Sequence, residues 1–421
     1  MNTKKDIYKR SRVLYIVEAA LEYFISILIG ESYLAKIATS AGLPDTLTHI
    51  LTSLVSLACS FQMVAVFLAS RRPVKRWVTP LHILNQTLFA LLYLVPGLDL
   101  SAEIKGLIFI VFLLAGHIIS QVVYSAKINW FMSMVDDNKR GRFTANKEIV
   151  SLMGGMVFSF VMGQIIDRFE AAGNVDGAFT VIAVTVFVLM LGHTATLIFS
   201  QEKPAESAPI PVKKELASLF RNKTLFLVIG VAVLWSIASG SITPFLGTYR
   251  NNVLGFSMTY NALLTAMYSI VRSIFSRPIG KLADKKSFAV MLTVCFGIQA
   301  LGFAINIFTV PENGHVLFAI YYMLNGIAMG GINSGAINLI YDYVEPDQRT
   351  GALAIRGALA GLVGFATTLI FSIPVARITE NGNMLFGIPV YAQQVMSAVA
   401  LVITLIVIVY LNVVVKKLKR N

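Results

Sequence analysis

The first long apolar segment of the chain, residues 13–33, carries two glutamates in a stretch that otherwise suits the interior of a bilayer. The segment is long enough to cross the hydrocarbon core as a helix. Glu18, Glu22 and Ser26 follow one another at four-residue spacing, so they share one face of that helix. A carboxylate inside a membrane is costly unless it faces protein, water or a partner. The segment therefore predicts a membrane protein with a polar interior.

The composition of the whole chain agrees with a membrane protein. Hydrophobic residues make up 56% of its 421 residues and charged residues only 14%, whereas about a quarter of the residues in a soluble protein are charged. The mean hydropathy of +0.72 supports the same class. The N-terminus is polar and basic, and we expect no cleavable signal peptide, because the first apolar segment is long enough to be a full span.

The net charge of +13 would suit a nucleic-acid-binding protein, but its distribution does not. The basic residues form short clusters between apolar segments, which is typical of cytoplasmic loops, so we expect no nucleic-acid partner. This asymmetry predicts that both termini are cytoplasmic and that the number of spans is even. The opposite loops contain only Lys36, Lys105, Arg168, Arg250 and Arg377.

Twelve segments are long and apolar enough to be membrane-spanning helices. A polar stretch with three prolines, residues 201–223, separates the sixth from the seventh and is typical of a linker. We predict an N-terminal six-helix bundle over residues 1–200, a cytoplasmic linker over 201–223 and a C-terminal six-helix bundle over 224–421. The predicted spans are residues 12–40, 45–70, 76–97, 101–129, 143–168, 177–200, 224–248, 256–279, 287–309, 315–342, 350–377 and 388–415.

The two halves of the chain repeat each other. The sequence SAKIN at residues 125–129 corresponds to SGAIN at 334–338, and both lie at the predicted cytoplasmic end of the fourth span of their half. Repeats of whole groups of spans are typical of secondary transporters, which bind their solute near the midplane where the repeats meet. Channels and membrane enzymes do not require such a duplication.

Two loops resemble sequence signatures of the major facilitator superfamily. GKLADKK at residues 280–286, after the eighth span, resembles the family's Gly-x-x-x-Asp-Arg/Lys signature, and KRGR at 139–142 resembles its Arg-Gly loop. The resemblance implies an all-α, polytopic fold of two pseudo-symmetric six-helix bundles that transports by alternating access. Two features of the family are absent: the arginine motif of span 4, where His117 and Gln121 stand instead, and the Gly-Pro motif of antiporters in span 5.

The resemblance also implies that spans 1, 4, 7 and 10, helped by 2, 5, 8 and 11, line a central cavity. Polar side chains on one face of several of these spans fit that role, whereas spans 3, 6, 9 and 12 are mostly apolar, as we expect of outer helices. We predict a substrate-binding or proton-coupling role for Glu18, Glu22, His117, Gln121, Tyr124, Trp235, Tyr268, Arg272, Tyr322 and Asn325.

Three charged residues in the spans carry the chemistry of this prediction. Glu22 lies roughly 13 Å into its span; burial disfavours the charged form of a carboxyl group, so it could exchange a proton near neutral pH. Glu18 lies nearer the cytoplasm, where we expect solvation. Arg272 stays charged inside span 8, and either binds an anionic group of the solute or pairs with Glu22 in the empty protein. The structural alternative for each is a static ion pair or hydrogen bond between helices.

We expect gating residues at the cytoplasmic ends of the spans. The resemblance implies that Asp284 helps to lock this side when the transporter opens outward, and Arg140 or Arg142 would be its partner across the repeat. Gly280 and Lys285 belong to the same loop signature. Lys127 lies near the end of span 4, where its long side chain can extend to water, and a gating or structural role is expected.

These features predict a proton-coupled secondary active transporter, a monomer in the cytoplasmic membrane, that moves a small organic solute. The alternative with the same fold is an antiporter that exports amphipathic compounds. A membrane-embedded enzyme or a channel are the alternatives from other classes, but no nucleophile arrangement, phosphate loop or ring of like charges supports them. We expect no cofactor, no metal and no catalytic residue. Neither the solute nor the direction of transport follows from the sequence.

Overall fold

A computed structural model describes residues 7–68, 73–135, 140–203, 218–344, 349–385 and 387–418. The N-terminal half forms α1 (Lys9–Leu28), α2 (Glu31–Ser40), α3 (Asp45–Cys59), α4 (Gln62–Leu68), α5 (Val74–Leu92), α6 (Ala102–Met132), α7 (Arg140–Ala171) and α8 (Val175–Phe199). The C-terminal half forms α9 (Lys223–Gly240), α10 (Met258–Lys285), α11 (Phe288–Asn306), α12 (Gly314–Tyr341), α13 (Arg349–Glu380) and α14 (Ala392–Val413). A short antiparallel pair, β1 (Met384–Leu385) with β2 (Ile388–Pro389), connects the last two helices.

The fold is the predicted one: an all-α membrane protein with two six-helix halves. In the described part of the chain, nine helical stretches are long and apolar enough to cross a membrane, and the bent pair of α1 and α2 makes a tenth. The other two segments, α5 and α10, are 19 and 28 residues long but carry more polar side chains. Counting each broken pair once gives the twelve segments expected. Of the predicted linker, residues 204–217 lie outside the described part.

Contacts between helix ends establish two opposite faces of the bundle. On one face, which we call the terminal face because both chain termini lead to it, Arg12 at the start of α1 donates to the Met134 carbonyl oxygen just beyond α6, at 3.0 Å. The Trp130 indole donates to the carbonyl of Gln201, just beyond α8, at 2.7 Å. The even-numbered spans therefore end where the first span begins, as an alternating up-and-down chain requires.

On the opposite face, which we call the distal face, odd-numbered spans end. Lys36 of α2 pairs with Glu170 near the end of α7 at 2.5 Å. In the C-terminal half, the Tyr249 hydroxyl donates to the carbonyl of Thr309, just beyond α11, at 2.8 Å. The same alternation thus holds in both halves.

Two breaks near the distal face shape the first span of each half. Gly30 lies between α1 and α2 in an extended conformation, and the two helices meet at 45°. In the corresponding segment of the second half, α9 ends at Gly240, and Pro244 lies in a 3₁₀ turn (Thr243–Phe245). One α-helical turn (Leu246–Thr248) and a π-helical turn (Tyr249–Val253) follow. Proline lacks an N–H and favours the start of a new helical segment. These breaks bring the two segments together across the interface of the halves.

Small residues allow the two halves to pack with their backbones close together. A β-carbon on Gly163 of α7 would lie only 2.8 Å from the carbonyl oxygen of Met258 at the start of α10. Gly361 of α13 packs in the same way against α3, where a β-carbon would overlap the carbonyl oxygen of Ser56. Close approach at small residues is a common way to join helices in a membrane. The sites of contact between the halves therefore depend on glycine.

This packing predicts different outcomes for two glycine substitutions in the C-terminal half. Gly361→Ala should lower the unfolding temperature of the purified protein, since overpacking costs about 1–3 kcal/mol. Gly297→Ala in α11 is the matched control, because nothing lies within 4 Å of the added methyl group. Alanine is favoured over glycine in a helix by about 1 kcal/mol, so this variant should unfold at the same temperature or higher. Equal behaviour of the two in a thermal scan would contradict the packing described.

Candidate functional site

A set of adjoining cavities lies between the two halves. The largest has a volume of about 560 Å³ and is lined by side chains of α1, α3 and α4 on one side and α9, α10, α12 and α13 on the other. Cavities of about 390, 380 and 210 Å³ adjoin it, and Tyr23 and Glu31 each line three of the four. A hollow of this size between two bundles suits a small organic solute.

Nine of the ten predicted binding or coupling residues line one of these cavities, and the tenth, Glu18, does not. The largest cavity contains four of them, all from the C-terminal half: Trp235, Tyr268, Tyr322 and Asn325. The cavities nearer the N-terminal half contain the other five: Glu22, His117, Gln121, Tyr124 and Arg272.

The central charge of the site is Lys127, which is 2% exposed. Its ammonium group lies 2.7 Å from Oε1 of Glu18 and 2.5 Å from Oε2 of Glu22. The expectation that Lys127 extends toward water is wrong, because two carboxylates on α1 hold it inside the N-terminal half. An ammonium and a carboxylate can both stay charged in a low-dielectric interior only when such a partner is in place.

Glu18 and Glu22 occupy different environments, although they are one helical turn apart. Glu18 is fully buried, so the expectation that it is solvated is also wrong. The side chain of Glu22 is 31% exposed, and it faces the cavity. Its ion pair is with Lys127 rather than Arg272, which was the other partner considered. Of the two carboxylates, only that of Glu22 can therefore exchange a proton with the hollow or contact a solute there.

Arg272 is half-buried in the wall of the 380 Å³ cavity. It lies one helical turn after Tyr268 on α10. Among the described residues no carboxylate lies within 4.0 Å of it, so its charge is available to a ligand. A second guanidinium, Arg356 of α13, lines the largest cavity with Nε unpartnered. It was not predicted, because it lies close to the expected end of its span.

His117 and Gln121 form part of the wall in the N-terminal half. The His117 ring packs against Phe89, with 5.2 Å between ring centres, and Gln121 accepts a hydrogen bond from Gln62 at 2.6 Å. Both line the 390 Å³ cavity, where α3 and α6 meet. The polar face predicted for the fourth span is therefore directed at the hollow.

A second ion pair, with a buried arginine and a partly exposed glutamate, lies on the distal side of the hollow, and it was not among the predicted site residues. Arg250 is 2% exposed, and its guanidinium donates to Oε2 of Glu31 at 2.5 Å. The same group lies over the ring of Tyr322, 5.3 Å from its centre, which adds a cation–π contact. Because Glu31 belongs to the N-terminal half, this pair joins the halves. The only sequence signal was that Arg250 is one of the few basic residues of the distal loops.

Further polar contacts between the halves are concentrated near this pair. Asp167 of α7 accepts hydrogen bonds from the backbone N–H groups of Met258 and Thr259, both at 2.8 Å. Asn252 donates to Asp45 at 2.9 Å. Toward the terminal side, the exposed side chain of Glu148 on α7 lines the 380 Å³ cavity. Among the described residues, these contacts between the halves close the hollow on the distal side.

The predicted gating residues lie at the end of α10 on the terminal face. Asp284 and Lys285 are exposed, and Gly280 has open space around it. The side chains of Arg140 and Arg142, the expected partners of Asp284, lie outside the described residues. The contact of Asp284 with either arginine therefore stays a prediction.

One buried group of the described residues has the chemistry of metal ligands. Glu18, His82 of α5 and His193 of α8 offer ligand atoms that all lie within 4.8 Å of one another. The helices that supply the histidines were predicted to be outer helices, and their other faces do expose apolar residues such as Leu84 and Val184. Both histidines therefore face inward, away from the lipid.

The apolar helices and the hollow between the two halves are those of a polytopic membrane protein, and the family match identifies its class as that of a transporter. The chain matches the family model of the Major Facilitator Superfamily over residues 13–368 and 262–421. It belongs to that family, as the loop signatures suggested.

Several solved transporter structures share this fold at low sequence identity. The nucleoside transporter NupG has a TM-score of 0.65 at 16% identity, over 100% of each chain. A D-xylose–proton symporter has a TM-score of 0.71 at 14% identity, over 94% of this chain and 97% of that one. A bacterial homologue of the human lysosomal transporter Spinster has 0.66 at 12% identity, over 97% of each chain. A search of curated protein sequences finds no match.

The buried position of Lys127 predicts a large loss of stability when it is neutralised. Lys127→Met leaves Glu18 buried without a counter-charge, which should cost about 3–5 kcal/mol. The control is Lys36→Met, because the Lys36–Glu170 pair has the same 2.5 Å separation but side chains 20% and 48% exposed. Exposed pairs contribute only about 0–1 kcal/mol.

The measurement is the thermal unfolding of each purified variant, and a double variant separates the electrostatic cause from lost packing. Combining Glu18→Gln with Lys127→Met removes both buried charges, so it should recover part of the stability that Lys127→Met loses. A double variant that is no more stable than Lys127→Met alone would refute the ion pair as the cause.

Proposed function

We propose that this transporter moves a small organic solute by alternating access and that Glu22 couples the movement to protons. The observation that carries the proposal is the pairing of Glu22 with Lys127 at the wall of the hollow. A carboxylate that is both paired and accessible can change its proton and its partner during a transport cycle. The NupG and D-xylose–proton symporter structures support the general transporter class only.

The double pairing of Lys127 means that it still has a carboxylate partner when Glu22 binds a proton. When Glu22 takes up a proton, the ammonium group loses one carboxylate but keeps Glu18 at 2.7 Å. No buried charge is then left alone, so the large cost of an unpaired charge in the protein interior is avoided. Glu18 acts in this scheme as a positioning residue for Lys127. Lys127 belongs to the coupling apparatus rather than to a gate at the membrane surface.

We propose that the solute carries an acidic group and binds beside Arg272. A guanidinium without a described carboxylate partner can form two parallel hydrogen bonds to a carboxylate or phosphate. Trp235, Tyr268 and Tyr322 lie on the C-terminal side of the hollow and offer aromatic contacts to the rest of the solute. The cavity volume of about 560 Å³ suits a molecule of roughly drug or metabolite size.

The basic clusters support an orientation with the terminal face in the cytoplasm. The described conformation would then be open inward, with the Glu31–Arg250 pair closing the outer side. Opening outward requires that pair to separate and the terminal ends to meet. We propose that Asp284 and Lys285, with Gly280 as a close-packing position, close the terminal face in that state, and that Arg140 or Arg142 pairs with the Asp284 carboxylate there.

Reconstitution in proteoliposomes tests proton coupling, after a thermal-shift screen of metabolites and drugs has identified a ligand that raises the unfolding temperature. Glu22→Gln should retain counterflow of that ligand, because exchange between loaded states needs no net proton movement. It should lose accumulation driven by a pH gradient. Glu170→Gln, which neutralises an exposed carboxylate on the distal face, should retain both activities.

Two results would contradict the assignment of coupling to Glu22. One is pH-driven accumulation by Glu22→Gln equal to that of the wild type. The other is export of the ligand by the wild type and by both variants without a proton gradient. That result would instead favour uncoupled movement or efflux of amphipathic compounds. If the wild-type protein shows pH-driven uptake and Glu22→Gln does not, the result supports both the transport cycle and Glu22 as its coupling residue.

The distal seal predicts a change in accessibility when Arg250 is neutralised. The reporter is Ser239→Cys in the largest cavity, in a background without Cys59 and Cys295. Arg250→Gln should raise its labelling by an impermeant thiol reagent from the distal side several-fold, since loss of the pair shifts the population toward the distally open state. Lys105→Gln, a distal lysine away from the seal, should leave the labelling rate unchanged. The same rate in both variants would argue against the seal.

A further inference from the structure

A buried polar cluster lies behind the wall of the hollow, between α1, α5 and α8. Its members are Glu18, His82 and His193, and each is at most 1% exposed. None of the three lines the cavities described above. The cluster therefore requires an explanation other than contact with the transported solute.

Several ligand atoms of this cluster are without a hydrogen-bond partner. Oε1 of Glu18 is bound by Lys127 and by Nε2 of His193, at 2.7 and 2.8 Å, but its Oε2 is unpartnered. Nδ1 of His193 and both ring nitrogens of His82 are also unpartnered. A buried polar atom without a partner costs about 1–3 kcal/mol. Such a group of atoms indicates that a bound species occupies the space among them.

Most of these atoms are lone-pair acceptors rather than donors. When Nε2 of His193 donates its proton to Glu18, its Nδ1 carries a lone pair, and neutral His82 has a lone pair on one nitrogen. With the unpartnered oxygen of Glu18, the cluster offers three lone pairs, and one ligand atom of each residue lies within 4.8 Å of the others. One proton would satisfy only one of them, whereas a cation can accept all three.

The arrangement of the two imidazoles fits a shared ion. Their ring centres are 4.9 Å apart and their planes are tilted by 58°. Two imidazoles bound through nitrogen to one tetrahedral ion, with bonds of about 2.0–2.1 Å, place their ring centres about 5 Å apart. One ligand atom of each residue lies within 4.8 Å of the others. To share an ion with Oε2 of Glu18, His193 must turn its ring or release the hydrogen bond from its Nε2 to Oε1, because its Nδ1 points away from Glu18 in the described orientation.

The nearby ammonium group of Lys127 does not prevent a cation from binding. Lys127 has a second carboxylate partner in Glu22 at 2.5 Å, and these two groups neutralise each other. What remains is one carboxylate with two neutral imidazoles, the same ligand charge as in known zinc sites with two histidines and one glutamate. The ion would use Oε2 of Glu18, the oxygen that Lys127 does not contact.

Gln86, one helical turn after His82 on α5, offers a fourth ligand and a route for the ion. Gln86 is 1% exposed, and both polar atoms of its side-chain amide are unpartnered. It also lines the 390 Å³ cavity, so it connects the cluster with the hollow. An amide oxygen or a water molecule beside it can complete four-coordination.

We propose that Glu18, His82 and His193 bind one transition-metal dication of the zinc class. Imidazole nitrogens with one carboxylate favour such ions over magnesium or calcium. The ion would join α1, which carries the coupling carboxylate, to the two outer helices α5 and α8. The site is independent of the transported solute, and it would stand even if proton coupling through Glu22 failed.

The test uses the full-length protein without a histidine tag, equilibrated with Zn²⁺ and then dialysed against metal-free buffer. Elemental analysis should find one zinc per chain. Protein loaded with Co²⁺ instead should show the intense visible absorption of a four-coordinate site. His82→Gln and His193→Gln should each weaken binding at least tenfold. His315→Gln removes an exposed imidazole in the other half and should bind like the wild type.

Three results would overturn the proposal. The first is wild-type protein that retains no zinc after dialysis, which would indicate that water fills the cluster. The second is zinc lost equally from His315→Gln, which would show adventitious surface binding. The third is a weak absorption typical of six-coordinate Co²⁺. The stoichiometry and the spectrum come from the wild-type protein, so they decide the question even if neither cluster variant folds.

Discussion

The structure depends on the burial of one ammonium group between two carboxylates within the membrane-spanning region. Lys127 can remain charged there only because α1 presents Glu18 and Glu22 to it from consecutive turns. This requirement fixes the rotation of α1 about its axis and its position against α6. The same rotation directs Ser26 and the rest of that helix face into the hollow between the halves. The cost of burying the Lys127 charge thus determines which face of α1 lines the hollow.

The first span connects this charge centre with the seal on the distal side. Glu22 lies before the bend at Gly30, and Glu31 lies directly after it. Each glutamate pairs with one basic residue, Lys127 within the same half and Arg250 in the other half. A change of charge at either glutamate would alter the balance between the halves, because the bent segment is shared. In the proposed cycle, proton binding and the opening of the distal side are linked through the bent first span, α1 and α2.

Much of the fold could be predicted from the sequence, because hydrophobic length and the distribution of basic residues reflect the bilayer directly. The polar face of the first span was also predictable from four-residue spacing. What failed were statements that depend on partners far apart in the sequence. Lys127 is close to the end of its span, where lysines commonly extend to water, and only the fold reveals that Glu18 holds it inside. Likewise, His82 and His193 stand in spans whose average composition is apolar, and spacing along the chain gives no sign that they meet.

The central claim is that the part of the acidic face of α1 at Glu22 and Ser26 borders water rather than lipid. Spin labels placed singly at Ser26, which borders the hollow, and at Val17, which is 43% exposed on the outside of the helix, test it directly. The account predicts that a water-soluble nickel chelate relaxes the label at position 26 strongly, whereas the label at 17 responds to oxygen, which concentrates in lipid. A label at 26 that responds to oxygen and not to the chelate would contradict the account.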